Sequence, residues 1–260
     1  MKILACIGSY RTHGNTARVV SLIEEEMRLE AERTGEVLDF ETVYLGHLNL
    51  QMCRGCRICF DRGEEHCPRK DDLLPLKARM KAADGIIAAT PVYVDDVSGI
   101  TKNWIDRLAH TCHRPEFGGK SAYLLATTGS SPTGHALRTL NGLMYMGFHI
   151  IGRAGFKTGA LSTRDEIGIR DGARIRGIAQ AIFRAVHQKA ALRPSFYSFM
   201  VFKIQQLAYE KINPGSIDYQ YWKGKDWLDP QQTFYAEQHA SALKVSFARL
   251  VGSALAPFIN

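Results

Sequence analysis

Four of the chain's six cysteines lie within fifteen residues, at Cys53, Cys56, Cys59 and Cys67. The first three are separated by two residues each, and Cys67 follows after seven more, directly before Pro68. Bacterial ferredoxins have the same two-residue spacing and a later Cys-Pro, although their fourth cysteine serves a second cluster. Because only one such run is present here, Cys67 would have to complete the same site. An iron–sulfur cluster bound by all four cysteines is therefore one interpretation of the segment.

The same spacing leaves three other interpretations open. The segment could be a loop that binds no metal, a structural zinc site with His66 as a spare ligand, or a set of redox-active thiols. Arg54, Arg57 and Arg62 stand between the cysteines. Their charge would offset that of four thiolates around iron and favour the reduced form of a cluster.

The elements that must hold these residues are predicted from the apolar pattern. Over residues 1–189, short apolar runs typical of buried strands alternate with segments of helical spacing. The predicted strands are 2–7, 37–45, 85–90, 121–127 and 148–152, the third ending at Pro91, and the predicted helices are 15–33, 71–82, 98–109, 134–146 and 175–186. Five such repeats predict an α/β domain, a doubly wound five-stranded parallel sheet covered by helices on both faces.

The alternation stops near residue 190, and residues 190–260 are predicted to form a helical C-terminal extension. Residues 153–260 contain 15 Lys and Arg against 8 Asp and Glu, so this part of the chain holds the whole net charge of +7. Tyr221, Trp222 and Trp227 are candidates to cover an active site. Apolar residues share one face of the last predicted helix: Leu243, Phe247, Leu250, Val251, Ala254, Leu255 and Phe258. Such a stripe favours a core or a dimer interface, with a membrane surface as the weaker alternative.

The loop after the first predicted strand, GSYRTHGNTA, contains the groups of a phosphate-binding site. Ser9, Asn15 and Thr16 offer hydroxyl, amide and backbone donors, and Arg11 adds a cation. The helix that begins at this loop adds oriented N–H groups and partial positive charge. Its glycine spacing matches neither a G-x-G-x-x-G dinucleotide loop nor a Walker A loop. The loop predicts a phosphate cradle, with an ordinary capped turn as the alternative.

Two more loops follow the third and fourth predicted strands. TPVYVDDVSG places a proline, an aliphatic and an aromatic residue at positions 91–93, a surface that suits a flat ring system. TTGSSPTGH places backbone amides and small hydroxyls at positions 128–130, which suit the polar rim of the same ring. Ligands of an open parallel sheet bind beyond the carboxyl ends of its strands. The three loops together predict a mononucleotide with a large flat ring.

These loops and the cysteine segment, in this order over residues 1–155, resemble the flavodoxin-like NAD(P)H-dependent FMN reductases, and among them the iron–sulfur flavoproteins. The resemblance implies that Ser9, Arg11, Asn15 and Thr16 hold the FMN phosphate. It implies that Pro91, Val92 and Tyr93 line the isoalloxazine, with Thr128, Gly129 and Ser130 near its pyrimidine edge. The iron–sulfur flavoproteins use a compact four-cysteine loop of this kind for a [4Fe–4S] cluster. The chain departs from the family pattern at Tyr10, where proline is usual, and at Asp95-Asp96, where small residues are usual.

The resemblance implies an oxidoreductase that takes electrons from NAD(P)H through FMN, with or without a cluster, to a small-molecule or protein acceptor. No general acid or base is expected, because the flavin itself accepts hydride. Tyr93 and His135 are candidates for contact with a substrate. The alternatives are a non-catalytic, flavodoxin-like electron carrier and a zinc-containing nucleic-acid-binding protein.

Composition and the N-terminal segment set the remaining expectations. Hydrophobic residues make up 45% and charged residues 23% of the chain, which is ordinary for a globular protein. The start has no features of a signal peptide, and no apolar run reaches the length of a membrane-spanning helix. We therefore expect a cytoplasmic protein that forms a dimer or tetramer of identical chains and does not bind nucleic acid.

Overall fold

A computed structural model describes residues 1–159, 162–187 and 193–258 of the chain. Its strands are β1 (Lys2–Ile7), β2 (Asp39–Tyr44), β3 (Gly85–Tyr93), β4 (Asp96–Val97), β5 (Ser121–Thr128) and β6 (His149–Lys157). Five of them form a parallel sheet in the order β2-β1-β3-β5-β6, and β4 pairs antiparallel with the end of β3. The predicted doubly wound parallel sheet is confirmed, with one short strand added.

The described helices lie on both faces of this sheet and in the C-terminal extension. They are α1 (Asn15–Thr34), α2 (Ile58–Asp61), α3 (Leu73–Ala82), α4 (Gly99–Arg107), α5 (His110–His113), α6 (Gly134–Leu140), α7 (Arg164–His187), α8 (Phe196–Lys211), α9 (Ile217–Gly224) and α10 (Ala242–Leu255). The predicted helix over 134–146 is α6 followed by a 3₁₀ turn at Asn141–Met146. Helices α1 and α7 cover one face of the sheet, and α3, α4 and α6 cover the other.

The two faces of the sheet follow from the strand period of two. In β1, Ile3, Ala5 and Ile7 are buried against α1 and α7, while Leu4 and Cys6 are buried against the opposite helices. Apolar side chains on both faces are what a strand covered by helices on each side requires.

Two predicted strand ends are wrong. Strand β3 continues past Pro91 to Tyr93, because β1 pairs with it only as far as Ala89, so no neighbour on that side needs the missing N–H of proline. Strand β6 continues past Gly152 to Lys157. There the register with β5 shifts, and a Cβ on Gly152 would lie 2.5 Å from Cε2 of Tyr123. Gly152 therefore makes room for a ring at a β-bulge and does not end the strand.

The C-terminal extension has an aromatic core of its own. Its buried members are Phe199, Phe202, Tyr209, Trp222, Trp227, Phe234, Tyr235, Val245 and Ala248. Trp222 and Trp227 are thus packed inside the extension and do not cover a ligand pocket. The predicted boundary between residues 189 and 190 lies outside the described residues.

Helix α10 has the predicted apolar stripe, but the stripe faces outward. The side packed on α8 consists of small residues, since a Cβ on Gly252 would lie 2.8 Å from the Met200 carbonyl oxygen. The large side chains of the stripe are exposed: Leu243, Phe247, Leu250, Leu255 and Phe258. No helix in the described part of the chain combines the length and hydropathy needed to cross a lipid bilayer.

Candidate functional site

A cavity of about 230 Å³ lies beyond the carboxyl ends of β1, β3, β5 and β6. Its walls are formed by Ser9, Arg11, Gly14, Asn15, Thr16, Pro91, Val92, Tyr93, Thr127, Thr128, Gly129, Thr158 and Gly159. Nine of the ten residues predicted to contact FMN are brought together here. Ser130 lies apart from this wall, in an adjoining hollow that shares Thr128. The position is the one at which open parallel sheets bind their ligands.

The N-terminus of α1 points its first backbone amides at this cavity. Gly14 precedes the helix, and no side chain caps it. The first helical hydrogen bond runs from Arg18 N to the Gly14 carbonyl oxygen at 3.0 Å. The amides of the first turn therefore have no partner within the helix and carry the positive end of its dipole. This arrangement binds anions such as phosphate.

The polar side chains at this end are partly committed to the protein itself. Asn15 Nδ2 donates to the Gly159 carbonyl oxygen at 2.5 Å, so this amide braces the loop after β6. Thr16 Oγ1 and Thr127 Oγ1 lie 2.6 Å apart. One of these hydroxyls donates to the other, which leaves a single free O–H in the pair. What Asn15 can offer to an anion is its backbone N–H, and Arg11 adds an exposed cation.

The β3–β4 hairpin forms the wall at Tyr93. Its turn residues, Val94 and Asp95, have φ values of 48° and 66°. These angles suit a two-residue hairpin turn but are costly for a β-branched residue such as Val94. Asp96 accepts hydrogen bonds from its neighbour Val97 N and from Thr139 Oγ1. Burial raises the pKa of Asp96, but these hydrogen bonds outweigh it and hold the pKa below its usual range.

Asp95 and Asp96, which replace the small residues usual in the family, therefore have different surroundings. Asp96 braces the hairpin, whereas Asp95 stays exposed beside Tyr93, with His135 Nδ1 at 3.9 Å from its carboxylate. Tyr10, the other departure, covers Gly46, where a Cβ would lie 2.6 Å from Cγ of the tyrosine ring.

Four residues of this wall were not among those predicted from the sequence. Gly14 and Thr127 adjoin predicted residues, while Thr158 and Gly159 follow the end of β6, which was placed too early. Thr158 N donates to the Thr128 carbonyl oxygen at 2.9 Å. A usable signal was present, since β5 and β6 both end in a Thr-Gly pair.

A second cavity, of about 410 Å³, is lined by all four clustered cysteines. The rest of its wall includes Arg54, Gly55, Arg57, Phe60, Glu64, Pro68, Arg69, Leu73, Asp106, Arg107, Ala109 and His110. All four cysteines are free thiols. The structure therefore brings together the complete set that the spacing predicted as metal ligands.

A buried ion pair holds the two ends of the cysteine segment close together. Arg107 Nη1 lies 2.5 Å and Nη2 3.1 Å from the two carboxylate oxygens of Asp71, a bidentate pair. These side chains are 3% and 1% exposed. Arg107 also donates to the Gln51 carbonyl oxygen at 2.6 Å, and its Nη2 lies 4.0 Å from Cys67 Sγ. Burial raises the pKa of Asp71, but the bonds from Arg107 and backbone N–H groups prevail and lower it.

The surroundings of Cys59 argue against a reactive thiol at this position. Burial, followed by the charges that Cys67, Cys53 and Cys56 would carry, raises the pKa of the Cys59 thiol. A reactive cysteine needs a lowered pKa instead. Bound iron would stabilise the thiolates directly, because metal ligands must be deprotonated.

The spacing of the sulfurs argues against a single zinc ion. In a tetrahedral zinc site with Zn–S bonds of 2.3 Å, the sulfurs lie about 3.8 Å apart. Over the described part of the chain, three or more potential ligand atoms of His, Cys, Asp or Glu come within 4.8 Å of one another only at Glu64, His110 and Glu116. His66, the spare ligand of the zinc interpretation, is exposed and pairs with Glu65 at 3.5 Å.

Unpaired donors in the wall suit an anionic sulfur-containing group. Three buried side-chain nitrogens among the described residues have no hydrogen-bond partner, namely Arg69 Nε, Trp104 Nε1 and His110 Nδ1. Arg69 and His110 both line the cysteine cavity. Hydrogen bonds to the sulfurs are a recurring feature of iron–sulfur sites.

Helix α4 lies between the two cavities. At its start, Ser98 Oγ donates to the Gly8 carbonyl oxygen at 2.6 Å, and Thr101 Oγ1 donates to Thr90 Oγ1 at 3.1 Å. Further along, Asn103 Oδ1 accepts from Cys53 N at 3.0 Å. At 1.5 Å per residue, nine residues of helix span about 14 Å. The 230 Å³ cavity and the cysteine cavity are therefore neighbours, and α4 connects the residues beside them.

Comparison with known proteins identifies the class that this fold and pocket define. The family model described as NADPH-dependent FMN reductase matches residues 1–160. The chain belongs to this family, and it is an FMN-dependent NAD(P)H oxidoreductase with a flavodoxin-like fold.

Individual relatives add detail. An iron–sulfur flavoprotein of Archaeoglobus fulgidus is 29% identical over 238 residues, which cover 88% of this chain and 100% of that one. An iron–sulfur flavoprotein of Methanocaldococcus jannaschii is 37% identical over 107 residues, 41% of this chain and 51% of that one. RosB, solved with 8-demethyl-8-formylriboflavin-5′-phosphate, covers 92% of this chain and 91% of its own at a TM-score of 0.51 and 15% identity, which shows the fold alone. The predicted resemblance to the iron–sulfur branch is confirmed.

Proposed function

We propose that this oxidoreductase binds FMN in the 230 Å³ cavity and a [4Fe–4S] cluster in the cysteine cavity, and that it reduces a one-electron acceptor. The observation that carries this proposal is that α4 is bonded at its start to Gly8, next to Ser9 of the first cavity, and further along to Cys53 of the second. Bound FMN accepts hydride from a nicotinamide and releases electrons singly or in pairs, and a neighbouring cluster carries them singly.

The residues proposed to hold FMN are the ten of the sequence prediction. The uncapped start of α1 and Arg11 support a phosphate site, and Ser9 lies beside them. The apolar wall of Pro91, Val92 and Tyr93 supports the ring. Thr128 and Gly129 face the same cavity, and Ser130 reaches it only from the adjoining hollow.

The residues proposed to hold the cluster are Cys53, Cys56, Cys59 and Cys67. Their common cavity and the two unpaired N–H groups in the wall support an anionic group held by all four cysteines. No three of their sulfurs lie within 4.8 Å of one another, which disfavours a single zinc ion. Arg107 holds both ends of the segment and brings positive charge close to Cys67.

The test is an ultraviolet–visible spectrum with iron, sulfide and zinc analysis on protein purified without oxygen. We expect flavin bands, a broad shoulder near 400 nm and about four irons per chain, the stoichiometry of the cluster type. Cys56→Ser should lose the shoulder and the iron. Cys112→Ser is the matched control, because Cys112 lies outside the cysteine cavity, and it should keep both. Flavin without iron, or zinc in its place, would overturn the cluster while leaving the oxidoreductase intact.

The outward stripe of α10 supports a homo-oligomer. The cations beside it are engaged, since Lys244 Nζ donates to the Pro194 carbonyl oxygen and Arg249 Nη1 to that of Gln232, at 2.7 and 2.8 Å. They are poorly placed to attract anionic lipid, which favours a second copy of the chain over a membrane surface. Light scattering should show Leu250→Glu as a smaller species. Ile169→Glu, at an isolated exposed residue of α7, should keep the native size.

A further inference from the structure

A buried ion-pair network lies beside the cysteine cavity. Lys77 Nζ on α3 is 2.5 Å from Glu64 Oε1, 2.5 Å from Glu116 Oε1 and 3.4 Å from His110 Nε2. The potential ligand atoms of Glu64, His110 and Glu116 converge within 4.8 Å. The ammonium of Lys77 already stands among them and supplies the positive charge that a metal ion would bring. The group formed by Lys77, Glu64, Glu116 and His110 is therefore an ion-pair network and not a second metal site.

This network decides which ring nitrogen of His110 carries the proton. A lysine ammonium only donates hydrogen bonds, so the Nε2 that faces it must accept. Glu64 Oε2 is 3.8 Å from the same nitrogen, beyond hydrogen-bond distance. Burial, reinforced by the charge of Lys77, lowers the pKa of His110 to about 4. Near neutral pH the ring is uncharged, and its single proton lies on Nδ1.

That Nδ1–H group lacks a partner within the described part of the chain, although the His110 side chain is fully buried. Leaving a buried donor unpaired costs about 1–3 kcal/mol. His110 lines the cysteine cavity together with Cys59 and Cys67. An iron–sulfur group bound in this cavity would be an acceptor for the Nδ1–H group.

We propose that His110 is a positioning residue of the cysteine cavity: its Nδ1–H donates a hydrogen bond to a sulfur of the bound iron–sulfur group, and Lys77 holds the ring in that tautomer. This inference rests on the cluster of the proposed function. An N–H···S bond draws negative charge away from sulfur and so favours the reduced centre. The unpaired Nε–H of Arg69 is a second donor in the same wall.

The experiment is a potentiometric titration of the intact flavoprotein under argon, followed by electron paramagnetic resonance of the reduced centre. In His110→Leu we expect the ratio of reduced to oxidised centre at a fixed potential to fall about tenfold, which is about 59 mV for a one-electron couple. His110→Asn keeps an amide donor near the position of Nδ1 and should stay close to the unaltered protein. A hyperfine coupling to an exchangeable proton should be present in the native protein and lost in His110→Leu.

The control is His66→Leu, which changes an exposed histidine of the same segment outside the cavity wall. It should leave the potential unchanged. An unshifted potential in His110→Leu with full iron content would overturn this inference and leave the proposed function standing. An equal shift in His110→Asn and His110→Leu would also overturn it, since both are uncharged and only one lacks the donor. Absence of iron and sulfide from the native protein would overturn the inference and the cluster together.

Discussion

The proposed FMN pocket takes its walls from the ends of four strands and the start of one long helix, whereas the cysteine cavity takes most of its walls from a loop with little regular structure. The first is held by backbone hydrogen bonds of the sheet and by hydroxyl pairs such as Thr16 with Thr127. The second is held by buried charges, Arg107 with Asp71 and Lys77 with Glu64 and Glu116. A pocket at the end of a sheet is a consequence of the fold, while a loop cavity needs dedicated ion pairs to keep its shape.

The largest effect is expected from removal of one buried charge beside the cysteine cavity. In Arg107→Met we expect a loss of about 3–5 kcal/mol of unfolding free energy, because Asp71 would stay buried without a partner. Urea unfolding of the metal-free protein measures it. The matched control is Arg79→Met, which breaks the partly exposed pair with Glu41 and should cost less than about 1 kcal/mol.

The double variant Arg107→Met, Asp71→Leu sharpens this result. Replacing both partners of a buried pair by apolar residues is often close to neutral, so much of the lost stability should return. Equal losses in the single and double variants would show that the ion pair is not what holds the loop.

Acid should destabilise the metal-free protein through the same region. The groups facing His110 are Lys77 of α3, Glu64, Arg114 and Glu116. Its pKa is about 4 in the folded chain against 6.5 in the unfolded chain, so only the unfolded chain takes up the proton between these values. Stability therefore falls as pH drops from 6.5 towards 4, by at most about 3 kcal/mol.

Glu64 continues the loss at lower pH. Burial alone would raise its pKa, but the hydrogen bond from Lys77 lowers it to about 2, against 4.5 unfolded, so its contribution is lost below pH 4.5. Urea unfolding at several pH values, compared between the native protein and His110→Asn, checks the assignment. The variant should show a shallower decline between pH 6.5 and 4, with the share of His149, whose pKa burial also lowers, retained, and it should keep the decline below pH 4. Parallel curves for the two proteins would refute the role of His110.

A change at Gly8, where the loop after β1 contacts the start of α4, should affect both cavities. A Cβ on Gly8 would lie 1.7 Å from Thr101 Oγ1 of α4, so Gly8→Ala must displace this hydroxyl from its hydrogen bond to Thr90 or shift the start of the helix. We expect a loss of about 1–3 kcal/mol of stability, typical of overpacking, with weaker FMN binding and lower iron content in the same variant. Gly99→Ala is the matched control, since a Cβ there meets no atom within 4 Å, and it should change neither cavity.

The smallest effect is expected at the exposed cation of the FMN pocket. Arg11→Ala should weaken FMN binding about fivefold, near 1 kcal/mol, because an exposed charge acts through water and salt. Fluorescence titration with FMN at low and high salt measures it. The salt dependence of binding should shrink in this variant and persist in Arg33→Ala, which changes the far end of α1. An unchanged affinity in Arg11→Ala would remove Arg11 from the phosphate site.

The sequence carried enough information for the sheet and for most of the FMN pocket, because strand period and loop position are local signals. The end of β6 was lost because Gly152 resembles a strand terminator and serves instead as a bulge beside Tyr123. The sequence left both a core and a dimer interface open for the α10 stripe, because the pattern alone does not show that small Ala248 and Gly252 pack inward while larger residues face out.

The network around the cysteine cavity lay beyond reach of sequence reasoning. Arg107 and Asp71 are 36 positions apart, and His110 is one of nine histidines with no local pattern around it. Their partnership depends on how α3, α4 and a loop pack together. Buried pairs of this kind become visible only when distances and exposure are known.

The position of α4 between the two cavities limits how this architecture can be transplanted. A designer who moves only the four-cysteine loop onto another flavodoxin-like protein would leave behind Asn103 and Arg107, which hold the loop from the helix. The host would also keep its own contact between the first strand and that helix, which here depends on Gly8. The transferable module is therefore the loop together with α4 and the glycine beneath it, and its parts are expected to change in concert rather than one at a time.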